Sequence, residues 1–408
     1  MSKLLFVNML GHGHVNPTIG LVKEFINRGN QVTYIASEEF RTKIEKTGAE
    51  FKGYKNVFDI SNASNISNFI NGNLNLENNK LLLKGIGTFK KIFEGTFNQI
   101  IEVVFNSKEK FDYIIYDSSF IIGPEVGRIL KIPAICSITT FASNERTNFL
   151  SSHLSQFGTQ IQQILNSSED PNFAKNLQEK YGIKSPGISA ALTGSGKINI
   201  VYTSKYFQPC GESFDENYKF IGPSISDRKE NINLSLETDD KNKVIYISLG
   251  TIFNNSIEFY KSCFKAFGNM DVKIIMSVGK NIDINTFGSI PSNFIVRNYV
   301  PQLEILKHAD VFITHGGMNS TNEGLYYNVP LIFIPQFADQ PFVANRAAEL
   351  GAGIVIEKDR VTQEVLKQSV AKILSDNTFK INSERIGKSL RKAGGYKKGV
   401  DEILSLAG

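Results

Sequence analysis

The strongest constraint on this chain is a rhythm. Short apolar runs alternate with longer stretches whose apolar residues recur at helical spacing. LLFVNML (4–10) is followed by Ile19, Val22, Phe25 and Ile26, closed by Gly29, and then by QVTYIA (31–36). Near-continuous apolar runs of this length read as strands buried on both faces. Strands joined through helices pair in parallel, with right-handed crossovers. YIIYD (113–117), Ile132–Ile138 and KINIVYTS (197–204) continue the series. The pattern restarts with KVIYISLG (243–250) and runs through VKIIMSVG, NFIVRNYV, DVFITH, PLIFIP and AGIVIE. The expected fold is α/β: two doubly wound, Rossmann-like parallel-sheet domains.

Between the two series lies the polar stretch FIGPSISDRKENINLSLETDDKNK, the best linker candidate. The expected division is a first domain over 1–225, a linker over 226–242 and a second domain over 243–382. A final helix, over roughly 383–406 of the closing segment 383–408, follows. A length of 408 residues suits two domains of ordinary size. Two stretches break the rhythm, Asn56–Asn79 and Thr139–Ser195, and read either as pocket walls and lids or as tolerated surface loops.

Composition narrows the partners. The net charge of +5 is mild and no dense basic block precedes the last segment, which argues against nucleic acid. Lys388, Arg391, Lys392, Lys397 and Lys398 read as a solvated helix face. Cys136, Cys210 and Cys263 are scattered and suggest neither a disulfide framework nor a zinc site. Leu4–Leu10 is too short for a secretory signal, and no apolar run approaches the ~18 residues that span a bilayer. The expectation is a cytoplasmic protein without stable membrane insertion.

The first run ends in GHGHVNP. Asn16-Pro17 reads as an N-cap with proline at the first helical position. In doubly wound domains ligands gather outside the carboxyl ends of the strands. His14 follows one strand and Asp117 ends another, so both can meet at one cleft edge. A histidine with a carboxylate on its far nitrogen has a fixed tautomer and can take a proton from a hydroxyl near neutral pH. The glycines permit close approach of another molecule. Asn16 holds the place of the third glycine of G-x-G-x-x-G, so a dinucleotide fingerprint is not expected. From position alone, a purely structural role for the histidines stays equally open.

The densest signal is RNYVPQLEILKHADVFITHGGMNSTNEGLYYNVPLIFIPQFADQP (297–341). A buried strand ends in His315-Gly316-Gly317, and Asn319, Ser320 and Thr321 open a helix. Unbonded N–H groups and the helix dipole make an anion site there, suited to a diphosphate. Glu323, one turn on, suits ribose hydroxyls. Asp339 and Gln340 offer an acceptor and an amide for sugar hydroxyls. Gly250 and Thr251, in SLGT, can add phosphate contacts. An ordinary capped helix behind a glycine turn is the alternative.

Taken together, GHVNP, the mid-domain YD, SKYFQP, FIGPS, SLGT, VPQLEIL, HGGMNST-x-EG, NVP and DQ-x-x-x-ANR occur in an order covering nearly the whole chain. This chain resembles the inverting UDP-sugar glycosyltransferases of the GT-B fold, glycosyltransferase family 1, and most closely its bacterial macrolide and flavonoid members. The resemblance implies His14 as general base and Asp117 as its partner. It implies that Val300 and Gln302 hold the uracil and ribose, and that His315, Gly317, Asn319, Ser320 and Thr321 hold the diphosphate. Glu323 would bind the ribose, and Asp339 and Gln340 the sugar, favouring glucose. The final helix would cross back onto the first domain. Tyr299 stands where many members carry tryptophan, and this chain has none. Asn328 replaces the glycine usual before VP. His12 is a second candidate base, outside the matching motif.

The implied reaction is transfer of a hexose from a UDP-sugar to a hydroxyl of a small apolar or aromatic acceptor, forming a β-glycoside. The UDP-sugar is a co-substrate, and no cofactor and no metal is required. The chain has no D-x-D pair that would hold one, and Asp239-Asp240 falls in the linker. Phe58, Phe69, Phe89, Phe93, Phe141 and Phe149 are candidates for an apolar acceptor wall, each also compatible with the core. A UDP-sugar epimerase of similar fold, a lipid glycosyltransferase and a non-catalytic UDP-binding protein are the competing readings. The first lacks a use for GHVNP and the DQ pair. The last fits poorly with the presence of both His14 and Asp117.

Overall fold

The computed structural model describes residues 1–9, 11–55, 94–147, 171–184, 196–226, 242–251, 254, 256–336 and 339–405. They form two compact units, one within Met1–Val201, Glu212–Lys219 and Tyr396–Gly408, the other within Tyr202–Gly211 and Phe220–Gly395. Most of the linker expected at 226–242 lies outside the described residues.

The first unit is built on a seven-stranded sheet: β1 (Lys3–Val7), β2 (Gln31–Ser37), β3 (Glu50–Tyr54), β4 (Tyr113–Asp117), β5 (Ala134–Ile138), β6 (Ile198–Val201) and β7 (Tyr218–Phe220). Its order is β3-β2-β1-β4-β5-β6-β7, and the pairs from β3 to β6 are parallel. Val7 stands opposite Ile35 on one side and Tyr116 on the other. The central strands bury nearly every residue, which explains their unbroken apolar runs. The edge strands EFKGY and YKF do not, and the sequence pattern did not reveal them. The strand order reverses between β1 and β4, so their connections diverge and leave a crevice beyond the carboxyl ends.

The second unit repeats the plan with β8 (Lys243–Ser248), β9 (Val272–Ser277), β10 (Phe294–Arg297), β11 (Val311–Thr314), β12 (Leu331–Phe333) and β13 (Gly353–Val355). Every pair in its order β10-β9-β8-β11-β12-β13 is parallel. Its reversal lies between β8 and β11. Ile245, Ile247, Met276, Ile313 and Ile332 are buried at the centre of its core.

Two local expectations are corrected. The first helix begins at His12, not at Pro17, and runs to Asn27 with Pro17 inside it. Gly11, at φ 115, makes the turn that lets the His14 and Val15 amides reach its carbonyl. Asn16 caps nothing there; its side-chain oxygen accepts from Lys43. The closing stretch is two helices, Thr378–Lys392 and Gly395–Leu404, interrupted by a glycine pair at 394–395. The second of these lies in the first unit, where Arg28 pairs with Asp401 at 2.5 Å and Lys219 with Glu402 at 3.2 Å.

The segment Tyr202–Gly211, which follows β6, belongs to the second unit. The buried Asn322 amide donates to the Tyr202 carbonyl at 3.0 Å and accepts from the Thr203 hydroxyl at 3.0 Å. The Arg346 guanidinium donates to the carbonyls of Phe207 and Tyr206 at 3.1 and 3.2 Å.

Candidate functional site

In the first unit, the chain beyond β1 turns at once into the helix carrying His14, and β4 ends on Asp117. His14 Nδ1 lies 2.7 Å from Asp117 Oδ2. Asp117 is fully buried while the His14 side chain is 34% exposed. The other carboxylate oxygen accepts the Ser119 N–H at 2.8 Å. A buried carboxylate needs such partners, because desolvation costs several kcal/mol when they are missing. With Nδ1–H donated to Asp117, the lone pair of the neutral imidazole sits on Nε2. The Thr139 hydroxyl is 3.4 Å from the same Nδ1.

Beneath the histidine lies a buried polar cluster. The Asn8 amide donates to the His14 carbonyl at 3.0 Å and to the Tyr34 hydroxyl at 2.6 Å. Thr18 meets that hydroxyl at 2.6 Å, and the Tyr54 hydroxyl donates to the Asn8 carbonyl at 3.0 Å. Burial and the nearby Asp117 charge push the Tyr54 phenol well above its ordinary value, so it stays a neutral donor. His12, the second candidate base, sets its ring edge-on against Phe40 at 5.0 Å. A side chain at Gly13 would meet nothing within 4 Å, so packing in this unit does not demand glycine there. Phe141 is buried. Phe58, Phe69, Phe89, Phe93 and Phe149 lie outside the described residues.

In the second unit, the turns after β8 and β11 meet around His315. A Cβ on Gly250 would lie 2.6 Å from the imidazole Cε1, and one on Gly317 would lie 2.5 Å from Nε2. The ring therefore fills a slot that only glycines leave open, and Gly250 also adopts φ 81. Burial drives the His315 pKa down to about 4, opposed by a hydrogen bond with the Ser248 backbone, so the ring is neutral at pH 7.

Gly317 caps the helix Met318–Tyr326 without a side-chain bond, and the first turn holds no acidic residue. The first amide bonded back within the helix is that of Thr321, to the Gly317 carbonyl at 2.9 Å. The amides of Met318, Asn319 and Ser320 precede it and have no acceptor within the helix. Asn319 and Ser320 are half-buried. Thr321 is placed otherwise: its amide is used and its hydroxyl is buried without a hydrogen-bond partner.

Further along the same face, the Gln302 amide donates to Glu323 Oε2 at 2.6 Å, and its carbonyl accepts from the Tyr246 hydroxyl at 3.1 Å. Glu323 and Val300 are buried, Tyr299 is 48% exposed, and Thr251 is exposed. Asp339 is the N-cap of the helix Gln340–Glu349. Gln340 is buried, and its side-chain carbonyl accepts the Gln336 N–H at 2.7 Å, which turns its donor end the other way. The structure thus gathers His14 with Asp117, His315 with Gly250 and Gly317, and Gln302 with Glu323.

Sequence reasoning missed Asn8, Ser119, Thr139, Tyr246, Asn254 and Gln336. Two left a trace, as the polar members of buried runs: Asn8 in LLFVNML and Tyr246 in KVIYISLG. Asn254 is buried against Gly279 and donates to the Gly250 carbonyl at 2.8 Å, holding the turn after β8. Among the described residues, no group of three or more His, Cys, Asp or Glu side chains is arranged to hold a metal ion, and no helix is long and apolar enough to cross a membrane.

Comparison with known proteins finds relatives along nearly the whole chain. A family model described as "Erythromycin biosynthesis protein CIII-like, C-terminal domain" matches residues 261–392. The chain is 36% identical to the "Uncharacterized UDP-glucosyltransferase YojK" of Bacillus subtilis, over 99% of this chain and 97% of that one. It is 35% identical to the "NDP-glycosyltransferase YjiC" of Bacillus licheniformis, over 97% and 95%. Among solved structures, the calicheamicin glycosyltransferase CalG4 superposes with a TM-score of 0.81 at 25% identity, covering 99% of this chain and 98% of its own.

Proposed function

This chain belongs to the GT-B glycosyltransferases related to bacterial NDP-sugar and natural-product glycosyltransferases, enzymes that act on small-molecule acceptors, and from that premise we propose that it transfers glucose from UDP-glucose, with inversion, to a hydroxyl of an apolar or aromatic acceptor. The observation that carries this reading is the His14–Asp117 pair, 2.7 Å apart at the β1/β4 reversal.

The acceptor hydroxyl gives its proton to His14 Nε2 as its oxygen attacks the anomeric carbon. Asp117 stabilises the imidazolium that forms, without itself taking the proton. A positioned base of this kind contributes about 10²- to 10⁴-fold. The bond from the anomeric carbon to the diphosphate breaks, and its electron pair goes to the β-phosphate oxygen. UDP leaves from the face opposite the attack, so an α-linked donor yields a β-glycoside. The helix-start amides before Thr321 meet the growing charge. His315 is neutral and its single N–H is engaged by the Ser248 backbone, so its part is to fix the turn around Gly250 and Gly317 that frames the diphosphate. With the helix-start amides meeting the growing charge, transfer proceeds without a metal. Glu323 and Gln302 take the ribose, Tyr299 and Val300 the base, and Asp339 and Gln340 the sugar.

Phenols, flavonoids and macrolide-like alcohols suit the acceptor site. Relatives named for demethyllactenocin, oleandomycin and 4'-demethylrebeccamycin support a natural-product acceptor. Relatives named as transferases support transfer over epimerisation.

The test is a transfer assay with UDP-glucose, an acceptor panel and excess EDTA, read by mass spectrometry and by NMR of the anomeric proton. A β-linked hexoside formed in EDTA is the expected result. An α-linked product, or transfer only after magnesium is restored, contradicts the mechanism.

A further inference from the structure

Tyr246 lies in the centre of β8 and plays no part in the transfer chemistry. Its ring is buried and stacks on Phe312, with centroids 4.6 Å apart and planes at 17°. Its hydroxyl donates to the Gln302 side-chain carbonyl at 3.1 Å. The other end of that amide donates to Glu323 Oε2 at 2.6 Å.

An amide side chain is ambiguous by itself, because its oxygen and nitrogen ends are nearly the same shape. Here both ends are determined. A hydroxyl donor on one side demands the carbonyl, and a carboxylate on the other demands the NH₂. Without the hydroxyl, the Gln302 amide can turn over and set its oxygen against a buried carboxylate. Glu323 then loses a charge-assisted bond, the stronger kind of hydrogen bond. A carboxylate held on one oxygen by a fixed donor keeps its remaining lone pairs aimed in one direction.

We infer that Tyr246 is a positioning residue that, through Gln302, aims Glu323 at the nucleoside sugar and so sets the preference for ribose over 2'-deoxyribose donors. The inference rests on the proposed donor site. It goes beyond that site in assigning sugar discrimination to a side chain that touches no ligand.

Tyr246→Phe keeps the stack and removes only the hydroxyl. Binding of UDP and of 2'-deoxyuridine diphosphate is measured by calorimetry in the wild type, Tyr246→Phe, Gln302→Met and Glu323→Gln, with thermal melting as a folding control. A hydrogen bond to a charged group corresponds to roughly tenfold or more in affinity. The wild type is therefore expected to prefer UDP by about tenfold. Tyr246→Phe is expected to weaken UDP by about three- to tenfold and the deoxy nucleotide by less than about twofold, collapsing the ratio. In turnover, KM for UDP-glucose rises in step while kcat stays within about twofold, as for loss of uniform binding.

Equal weakening of both nucleotides would mark Tyr246 as merely structural and overturn the inference. So would an unchanged ratio in Tyr246→Phe while Glu323→Gln abolishes the preference; in that case the donor site stands and only the relay fails. A wild type with no ribose preference, unaffected by Glu323→Gln, overturns both the relay and the placement of the ribose. If Tyr246→Phe melts early, both affinities are measured at a temperature where the variant is still folded, and the same ratio decides the matter.

Discussion

The two units solve the same topological problem and arrive at opposite histidines. Each sheet reverses its strand order between two central strands, β1 and β4 in one and β8 and β11 in the other, and each sets a histidine just beyond one of them. In the first unit the neighbouring strand ends in a buried carboxylate, 2.7 Å from His14. In the second, the neighbouring turn is Gly250, and His315 is wedged between it and Gly317. A partnered, partly exposed imidazole suits proton transfer. One wedged between glycines, whose pKa falls to about 4, stays neutral and fixes the turn it fills. Doubly wound topology supplies the crevice, and the residue on the neighbouring strand decides what chemistry is done in it.

The largest expected break comes from Asp117→Asn. An asparagine can present its NH₂ to His14 Nδ1 and so favour the wrong tautomer. Turnover should fall by about 10²- to 10⁴-fold, with UDP affinity unchanged within about twofold. Steady-state kinetics and calorimetry on one preparation check this; a matching loss of affinity would blur the division between the units.

Gly317→Ala tests the other side. Its methyl would sit 2.5 Å from His315 Nε2, too close without displacing the ring. UDP affinity should fall by at least about tenfold, and stability by about 1–3 kcal/mol from overpacking. Unaltered binding would show that the slot around His315 does not shape the donor site.

A subtler separation lies in pH dependence. The His315 pKa drops from 6.5 to about 4 on folding, so between these values the unfolded chain binds the extra proton. Stability from this group is therefore fully present above pH ~6.5 and is lost as pH falls toward 4, by at most about 3 kcal/mol. Urea unfolding at several pH values should show this slope in the wild type and less of it in His315→Asn. Equal slopes would mean the ring is not protected from water. The smallest effect is expected at Tyr299, 48% exposed. Tyr299→Ala should raise KM for UDP-glucose by about three- to tenfold, the scale of one aromatic stacking contact, and Tyr299→Trp should leave it equal or lower.

Much of this was legible in the sequence, for a physical reason. Central parallel strands are buried on both faces, so they must be written as apolar runs, and the turns that end them carry the candidate site residues. That is why β1, β4, β8 and β11 and the residues beyond them could be read directly. The edge strands β3 and β7 are only partly buried and carry no such constraint. Pro17 misled because proline is favoured at a helix start, whereas here it sits in the second turn and the helix gives up the one intrahelical bond its nitrogen cannot make. The Tyr246–Gln302–Glu323 chain joins three separate stretches of sequence, and a contact of that kind leaves no local period. The 202–211 segment packs in the second unit, with long-range polar bonds to Asn322 and Arg346 that are equally silent in a one-dimensional pattern.

The central claim is that the first unit supplies the proton acceptor and the second supplies the donor site. It is tested most directly by UDP-glucose titration and turnover of His14→Ala. The account expects turnover to fall by about 10³-fold or more while the dissociation constant for UDP stays within about twofold of the wild type. A variant that loses nucleotide binding together with turnover, or one that retains most of its turnover, would contradict it.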